Sequence, residues 1–317
     1  MENRLIITDY RIKLNPQSIC LTECTQWLGD DLGKKRLKQN ANLIDNSTKG
    51  ILSPKNIKRC QNAIRWLVVA SQEKKYYSFK EKKHIKFKVN FITLTIPPQK
   101  NGLVTEKQIK VVLNTWLTYH RKYSKLNNYV WKIEPHKDKR LHIHITTDTF
   151  IYYPKIANSW NLILKRNGML EFHYEKFKNY TPPGTQVKPV EKIKKLAKYM
   201  GKYFSKPNEA MLNYRGKVWG CSMKINKVLN NSVYVCPSII GKVTKPIFSC
   251  GAKLLEVFTK PNIFGQKWKV ADIYLMDLSN WIKLKSGFLY DMFKELILFL
   301  RRETPRDTQL QFELGYE

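Results

Sequence analysis

Three short segments, residues 91–96, 128–134 and 140–146, alternate apolar and polar side chains. A period of two belongs to a half-buried strand, whose successive side chains point to opposite faces. Between the first two, residues 105–123 repeat at helical spacing: Ile109, Val112, Leu113, Trp116 and Leu117 make one apolar stripe. Residues 153–166 do the same with Ile156, Trp160, Ile163 and Leu164. Residues 169–174 are expected to form a short fourth strand. The order β-α-β-β-α-β predicts an α+β fold. Its form is a ferredoxin-like or RRM-like antiparallel sheet with helices on one face and the other face open.

This core is expected to occupy residues 89–222, with a strand in 214–222. Residues 1–88 read as a basic, partly helical N-terminal extension, whose helix at 53–70 starts on Ser53-Pro54. Its end, residues 74–88, interleaves lysines with Tyr76, Tyr77, Phe79 and Phe87. That composition suits either a solvated linker or a surface for single-stranded nucleic acid. Residues 223–317 read as a C-terminal accessory region with an amphipathic helix at 288–301. That helix ends in basic residues, favourable at a helix C-terminus.

Charge narrows the partners. The 317 residues carry 57 Lys plus Arg against 25 Asp plus Glu, a formal charge of +32. Such an excess repels itself unless a polyanion neutralises it, and nucleic acid is the expected partner. The six cysteines are scattered without paired spacing, which suits reduced thiols in a cytoplasmic protein. No apolar run is long enough to span a bilayer and the first ten residues lack a signal pattern, so no membrane partner is expected.

The strand faces sort the chemistry. Ile92, Leu94, Ile96, Ile133, Ile143 and Ile145 share the face that suits a helix layer. Thr93, Thr95, Glu134, His142 and His144 share the other. If the second and third strands form a hairpin, Glu134 lies beside the histidines. Two imidazoles and a carboxylate leave open coordination positions, which suits Mg²⁺ or Mn²⁺ better than a closed zinc site.

A further helix is expected over 189–205, started by Pro189 and stopped by Pro207. At ~100° per residue, Ile193, Ala197, Met200 and Phe204 make its apolar stripe. Lys195, Lys198, Lys202 and Lys206 lie almost opposite. Tyr199 and Tyr203 fall on one border, where a ring packs at the core edge while its hydroxyl reaches bound DNA. A tyrosine of pKa ~10 is a poor nucleophile unaided. A divalent ion that polarises the phosphate supplies the help, so the two features need each other.

At this point the chain resembles the HUH endonucleases, specifically rolling-circle replication initiators of the two-tyrosine form found in microviruses. Residues 91–95, Phe-Ile-Thr-Leu-Thr, look like the family's first motif, and Leu141-His142-Ile143-His144 like its second, the metal site. Tyr199-Met200-Gly201-Lys202-Tyr203 looks like the third. Glu134 matches the acidic residue that often completes the metal site. Arg215-Gly216-Lys217-Val218-Trp219-Gly220 is similar to a stretch that follows the tyrosine helix in phage relatives. Lys139-Arg140 stands where a glycine often precedes the histidine motif.

The resemblance implies a nicking reaction at a replication origin. One tyrosine attacks a phosphodiester of single-stranded DNA, leaving a 5′-phosphotyrosine and a free 3′-OH primer. The link can be reversed by religation. Tyr199 and Tyr203 with Lys202 are then catalytic; Lys195, Lys198, Lys206, Thr93 and Thr95 line the DNA; His142, His144 and Glu134 hold the metal. Host helicase and polymerase are further implied partners, and the host cytoplasm is the implied location. The rival readings are a relaxase or transposase of the same type, a non-catalytic single-strand-binding module, and a metal-dependent hydrolase on another fold.

Overall fold

The computed structural model describes residues 5–27, 52–78, 82–100, 102, 104–135, 140–190, 216–261, 267–276, 278–284 and 287–301. In chain order they begin with strands β1 (Leu5–Asn15) and β2 (Ser18–Trp27), helix α1 (Pro54–Ala70), and strands β3 (Lys74–Ser78), β4 (Lys83–Phe87) and β5 (Val89–Thr95). Helix α2 (Glu106–Ser124), strands β6 (Tyr129–Pro135) and β7 (Leu141–Thr147), helices α3 (Tyr153–Arg166) and α4 (Glu171–Phe177), and strands β8 (Thr185–Val190) and β9 (Trp219–Cys221) follow. Helix α5 (Met223–Leu229), strand β10 (Val233–Val235), helix α6 (Ile240–Ser249), strands β11 (Lys253–Pro261) and β12 (Lys267–Leu275), and helices α7 (Leu278–Leu284) and α8 (Phe288–Arg301) complete the chain.

The central sheet has the order β8-β5-β7-β6-β9, antiparallel throughout. Numbered within the unit, β5, β6, β7 and β8 lie in the order 4-1-3-2, with β7 inserted between the two ends of the β5-α2-β6 crossover. This is the expected split βαβ fold. Its aliphatic face is buried as the alternation requires: Ile92, Leu94, Ile96, Ile133, Ile143 and Ile145 are at most 3% exposed. Helices α2 and α3 cover them with their own apolar stripes, including Trp116 and Trp160. Each aliphatic side chain so buried is worth about 1.5–3 kcal/mol. Thr105 and Gln108 cap α2 reciprocally in a capping box, which fixes where the helix begins. The indole N–H of Trp160 donates to the Thr95 carbonyl at 3.0 Å, tying α3 to the end of β5.

Two expected elements need correction. Residues 169–174 are not the fourth strand. Gly168 turns the chain at φ +67°, Met169 and Leu170 plug the core, and Glu171 opens helix α4. The Glu171 carboxylate accepts from the Leu170 N–H at 3.0 Å, satisfying a donor at the helix start. The fourth strand is β8, and it ends in Pro189 and Val190, in place of the expected helix start. Proline cannot donate to a ladder, but β8 is an edge strand and tolerates it. The tyrosine helix expected over 189–205, with Tyr199, Tyr203, Lys195, Lys198, Lys202 and Lys206, lies from residue 191 onward outside the described residues.

Helix α1 begins as expected, with Ser53 capping it and Pro54 in its first turn. It packs against β6 and β9. Val130 and Thr146, on the polar side of the sheet, are therefore buried, while Gln186 and Lys188 of β8 on the same side are exposed. The second face is thus covered at its β9 end and accessible at its β8 end.

Segments far apart in sequence meet in a second five-stranded antiparallel sheet, β10-β1-β2-β12-β11. Asn231 grips the backbone of Leu14 twice, accepting from its N–H at 2.9 Å and donating to its carbonyl at 2.8 Å. Trp281 donates to the Pro16 carbonyl at 3.1 Å and stacks on Phe293 of α8 at 4.0 Å. Phe293 also meets Trp66 of α1, so α1 and α8 join both sheets into one hydrophobic core. The lysine-rich segment after α1 is neither linker nor part of these sheets; it is a separate antiparallel ribbon, β3–β4.

Candidate active site

The register of the central sheet assembles the polar cluster. His142 sits directly across from Glu134 on one side and Thr95 on the other; His144 sits across from Lys132 and Thr93. Directly opposed residues share a face and lie within reach of one another. The hydroxyl of Thr93 bonds His144 Nδ1 at 3.1 Å, and the hydroxyl of Thr95 bonds His142 Nδ1 at 3.1 Å. A ring held at Nδ1 has its orientation fixed and offers Nε2 as its ligand atom. The two imidazoles lie nearly parallel, 6.2 Å apart at 15°. Phe91 stacks on His144 at 5.1 Å and 21°, fixing that ring from the other side.

Glu134 closes the cluster. Its carboxylate lies 3.4 Å from His144 Nε2 and accepts a short hydrogen bond from the Lys132 ammonium. Burial alone pushes the Glu134 carboxyl up. The hydrogen bond with His144 and the charge of Lys132 outweigh burial and hold it below the usual carboxylate range. The group is a carboxylate at neutral pH, which is the form a metal ligand needs. Among the described residues, no group of three His, Cys, Asp or Glu side chains is already arranged to hold a metal ion. In this conformation Glu134 is turned to Lys132 and His144. The donor set fits a hard or borderline divalent ion, two imidazole nitrogens and one carboxylate, once Glu134 exchanges its lysine partner for the ion.

All five sequence-predicted residues on the sheet, Thr93, Thr95, Glu134, His142 and His144, are therefore brought together. Tyr199, Tyr203, Lys195, Lys198, Lys202 and Lys206 belong to residues 191–215, outside the described residues. Two participants escape the sequence reading. Lys132 shares the face of Glu134 by simple alternation, a signal present in the sequence. Its burial beneath α1, at 8% exposure, is not readable there. Phe91 alternates with Thr93 in the same way, but stacking on a histidine of another strand depends on register.

Compared with known families, residues 89–208 match the family described as Replication-associated protein ORF2. The match starts at the first residue of β5 and takes in Glu134, both histidines and both tyrosines. No curated protein and no solved structure matches the chain. The similarity of this segment to a replication-associated family supports a part in the initiation of replication.

Proposed function

We propose that the protein initiates rolling-circle DNA replication as a site-specific, tyrosine-dependent nicking enzyme of the HUH type. What supports the reading most is the single cluster of His142, His144 and Glu134, each histidine oriented by its own threonine, inside a segment similar to replication-associated proteins. A relaxase or transposase would use the same chemistry; the family similarity favours replication.

His142, His144 and Glu134 would hold the divalent ion, Mg²⁺ or Mn²⁺. When bound, it supplies charge that polarises the scissile phosphate. The hydroxyl oxygen of Tyr199 or Tyr203 attacks the phosphorus. The bond from phosphorus to the 3′-oxygen breaks, the tyrosine proton is given up, and the leaving 3′-oxygen takes one. A phosphodiester has been exchanged for a phosphotyrosine diester, so the reverse attack by a 3′-OH reseals the strand without ATP. Lys202 stands between the two tyrosines in sequence, and with Lys195, Lys198 and Lys206 it holds phosphates of single-stranded origin DNA. Thr93 and Thr95 keep the imidazoles in place. Lys132 neutralises Glu134 until the carboxylate is needed. The free 3′-OH is a primer, so a helicase and a polymerase of the host cytoplasm are the partners the reaction needs.

The test is a covalent adduct. Labelled single-stranded DNA carrying origin-like hairpins is incubated with protein and Mn²⁺ and run on a denaturing gel. An adduct is expected. The Tyr199→Phe/Tyr203→Phe protein should lose it by about a thousandfold or more. His142→Ala should lose it too, while retaining salt-sensitive DNA binding. An adduct that survives loss of both tyrosines overturns the nucleophile assignment. No adduct on any hairpin leaves the single-strand-binding module as the better reading.

A further inference from the structure

The β3–β4 ribbon belongs to neither five-stranded sheet and takes no part in the site described above. Its inner side holds Tyr76, Ile85 and Phe87, and Phe150 from beyond β7 packs there, 5.2 Å from Tyr76 and 5.8 Å from Phe87. Alternation sends Lys75, Tyr77, His84 and Lys86 to the outer side, and all four are exposed. The register places Lys75 directly opposite Lys86, and Tyr77 directly opposite His84. Like charges facing each other across a strand pair oppose the pairing. Glu73 reaches Lys86 at 3.3 Å, but Lys82 and Lys83 add further exposed charge at the turn. Lys82 takes φ +50°, a conformation that glycine adopts at less cost. The ribbon thus carries lysines where pairing and backbone would both prefer something else.

A ligand with two rails of negative charge removes the conflict. Paired strands lie ~4.8 Å apart. With side chains added, such a ribbon fits the DNA major groove, which is about 12 Å wide. A single strand would want an open ring on which to stack a base. Tyr77 and His84 instead meet edge to face, 5.3 Å apart at 68°, and so obstruct each other as a platform. They are better placed to offer polar edges to a groove.

We propose that the outer face of the β3–β4 ribbon lies in the groove of duplex DNA adjoining the nicked strand. Lys75 and Lys86 hold phosphates, and Tyr77 and His84 face the groove floor. The proposal rests on the nicking activity proposed above. Its geometry follows from the chain: β4 passes through Lys88 into β5, so the ribbon is ~20 Å along one continuous path from Thr93.

The test titrates wild-type protein and the Lys75→Gln/Lys86→Gln protein with a labelled random-sequence duplex of about 30 base pairs over a salt series. A single strand of the same length is titrated in parallel. For the duplex, the slope of log affinity against log salt should become shallower by about two, one for each phosphate that a lysine no longer neutralises. Single-strand affinity and adduct formation on single-stranded DNA should be unchanged. The thermal midpoint should not fall, because a like-charge pair has been removed, so misfolding is excluded as the cause. Tyr77→Ala should weaken duplex binding without changing the salt slope. An unchanged duplex slope overturns the proposal, and an equal loss on both DNAs overturns it in favour of single-strand binding by the ribbon. If wild-type protein forms no adduct, the nicking reading fails, and the duplex titration still decides what the ribbon does.

Discussion

The two five-stranded sheets share their width and their antiparallel pairing but differ in where their strands originate. All strands of the central sheet come from residues 89–221, and its polar face carries Thr93, Thr95, Glu134, His142 and His144. The terminal sheet joins residues 5–27 to residues 233–275, and its described side chains Ile12, Leu14, Ile19, Leu21 and Ile273 go into the core. A chemical site needs side chains placed to within fractions of an ångström, and short connections such as the β6–β7 hairpin fix register cheaply. A bracing sheet needs only apolar area and paired edges, and strands from remote parts of the chain supply both.

If the terminal sheet only braces, breaking it should cost stability and leave the chemistry of folded molecules alone. Trp281→Ala removes the stack on Phe293 and the bond to Pro16. It should destabilise the protein by about 3–5 kcal/mol in urea unfolding. Adduct formation per native molecule should stay the same; a parallel loss of adduct would mean that the two sheets are not separate in role.

The central sheet has its own acid sensitivity. His120 of α2 is fully buried, bonded to Ser159 at 2.9 Å and Ser124 at 3.0 Å. Burial first, and the charge of Lys155 second, push its pKa down to about 3. The folded state therefore binds this proton less readily than the unfolded chain, where the pKa is ~6.5. Stability from this group is complete above ~6.5 and is lost as pH falls toward 3, on the order of 4 kcal/mol in all. Urea midpoints measured across that window should fall with pH, and His120→Gln should flatten the fall. A slope that persists in the variant assigns the acid sensitivity elsewhere.

The smallest expected effect sharpens the site itself. Thr95→Val keeps shape but removes the hydroxyl that holds His142 Nδ1. Stability should change little, while Mn²⁺ affinity, read from relaxation of the histidine resonances, should weaken by about 10–100-fold. Unchanged affinity would mean that the threonines do not orient the ligands.

Legibility follows the same division. Strands β5, β6 and β7 can be read because alternation is local and each strand has one buried face, so the meeting of Glu134 with the histidines follows once a hairpin is assumed. Residues 169–177 fail as a strand because no side chain of α4 is buried, so neither period leaves a hydrophobic trace. What decides them is a left-handed Gly168 and a carboxylate at the helix start, both conformational facts. Strand β1 escapes for another reason. A bulge between Ile7 and Asp9 shifts its phase, and its partners in β10 are over two hundred residues away. The clamp of Lys132 on Glu134 is half legible: alternation places both on one face, but only α1 folding over β6 makes the lysine buried.

The position of the β1–β2 hairpin has a consequence for synthesis. It is made first, yet it lies at the centre of its sheet, with β10 beside β1 and β12 beside β2. Asn231, which closes on Leu14, is 217 residues further along. At about 5–20 residues per second, the ribosome needs about 10–40 s to reach it. A hairpin formed in that interval has two bare edges, each a template for another chain. The yield of folded protein in a cell is therefore set by translation speed and chaperone cover during that wait, more than by how stable the finished sheet is.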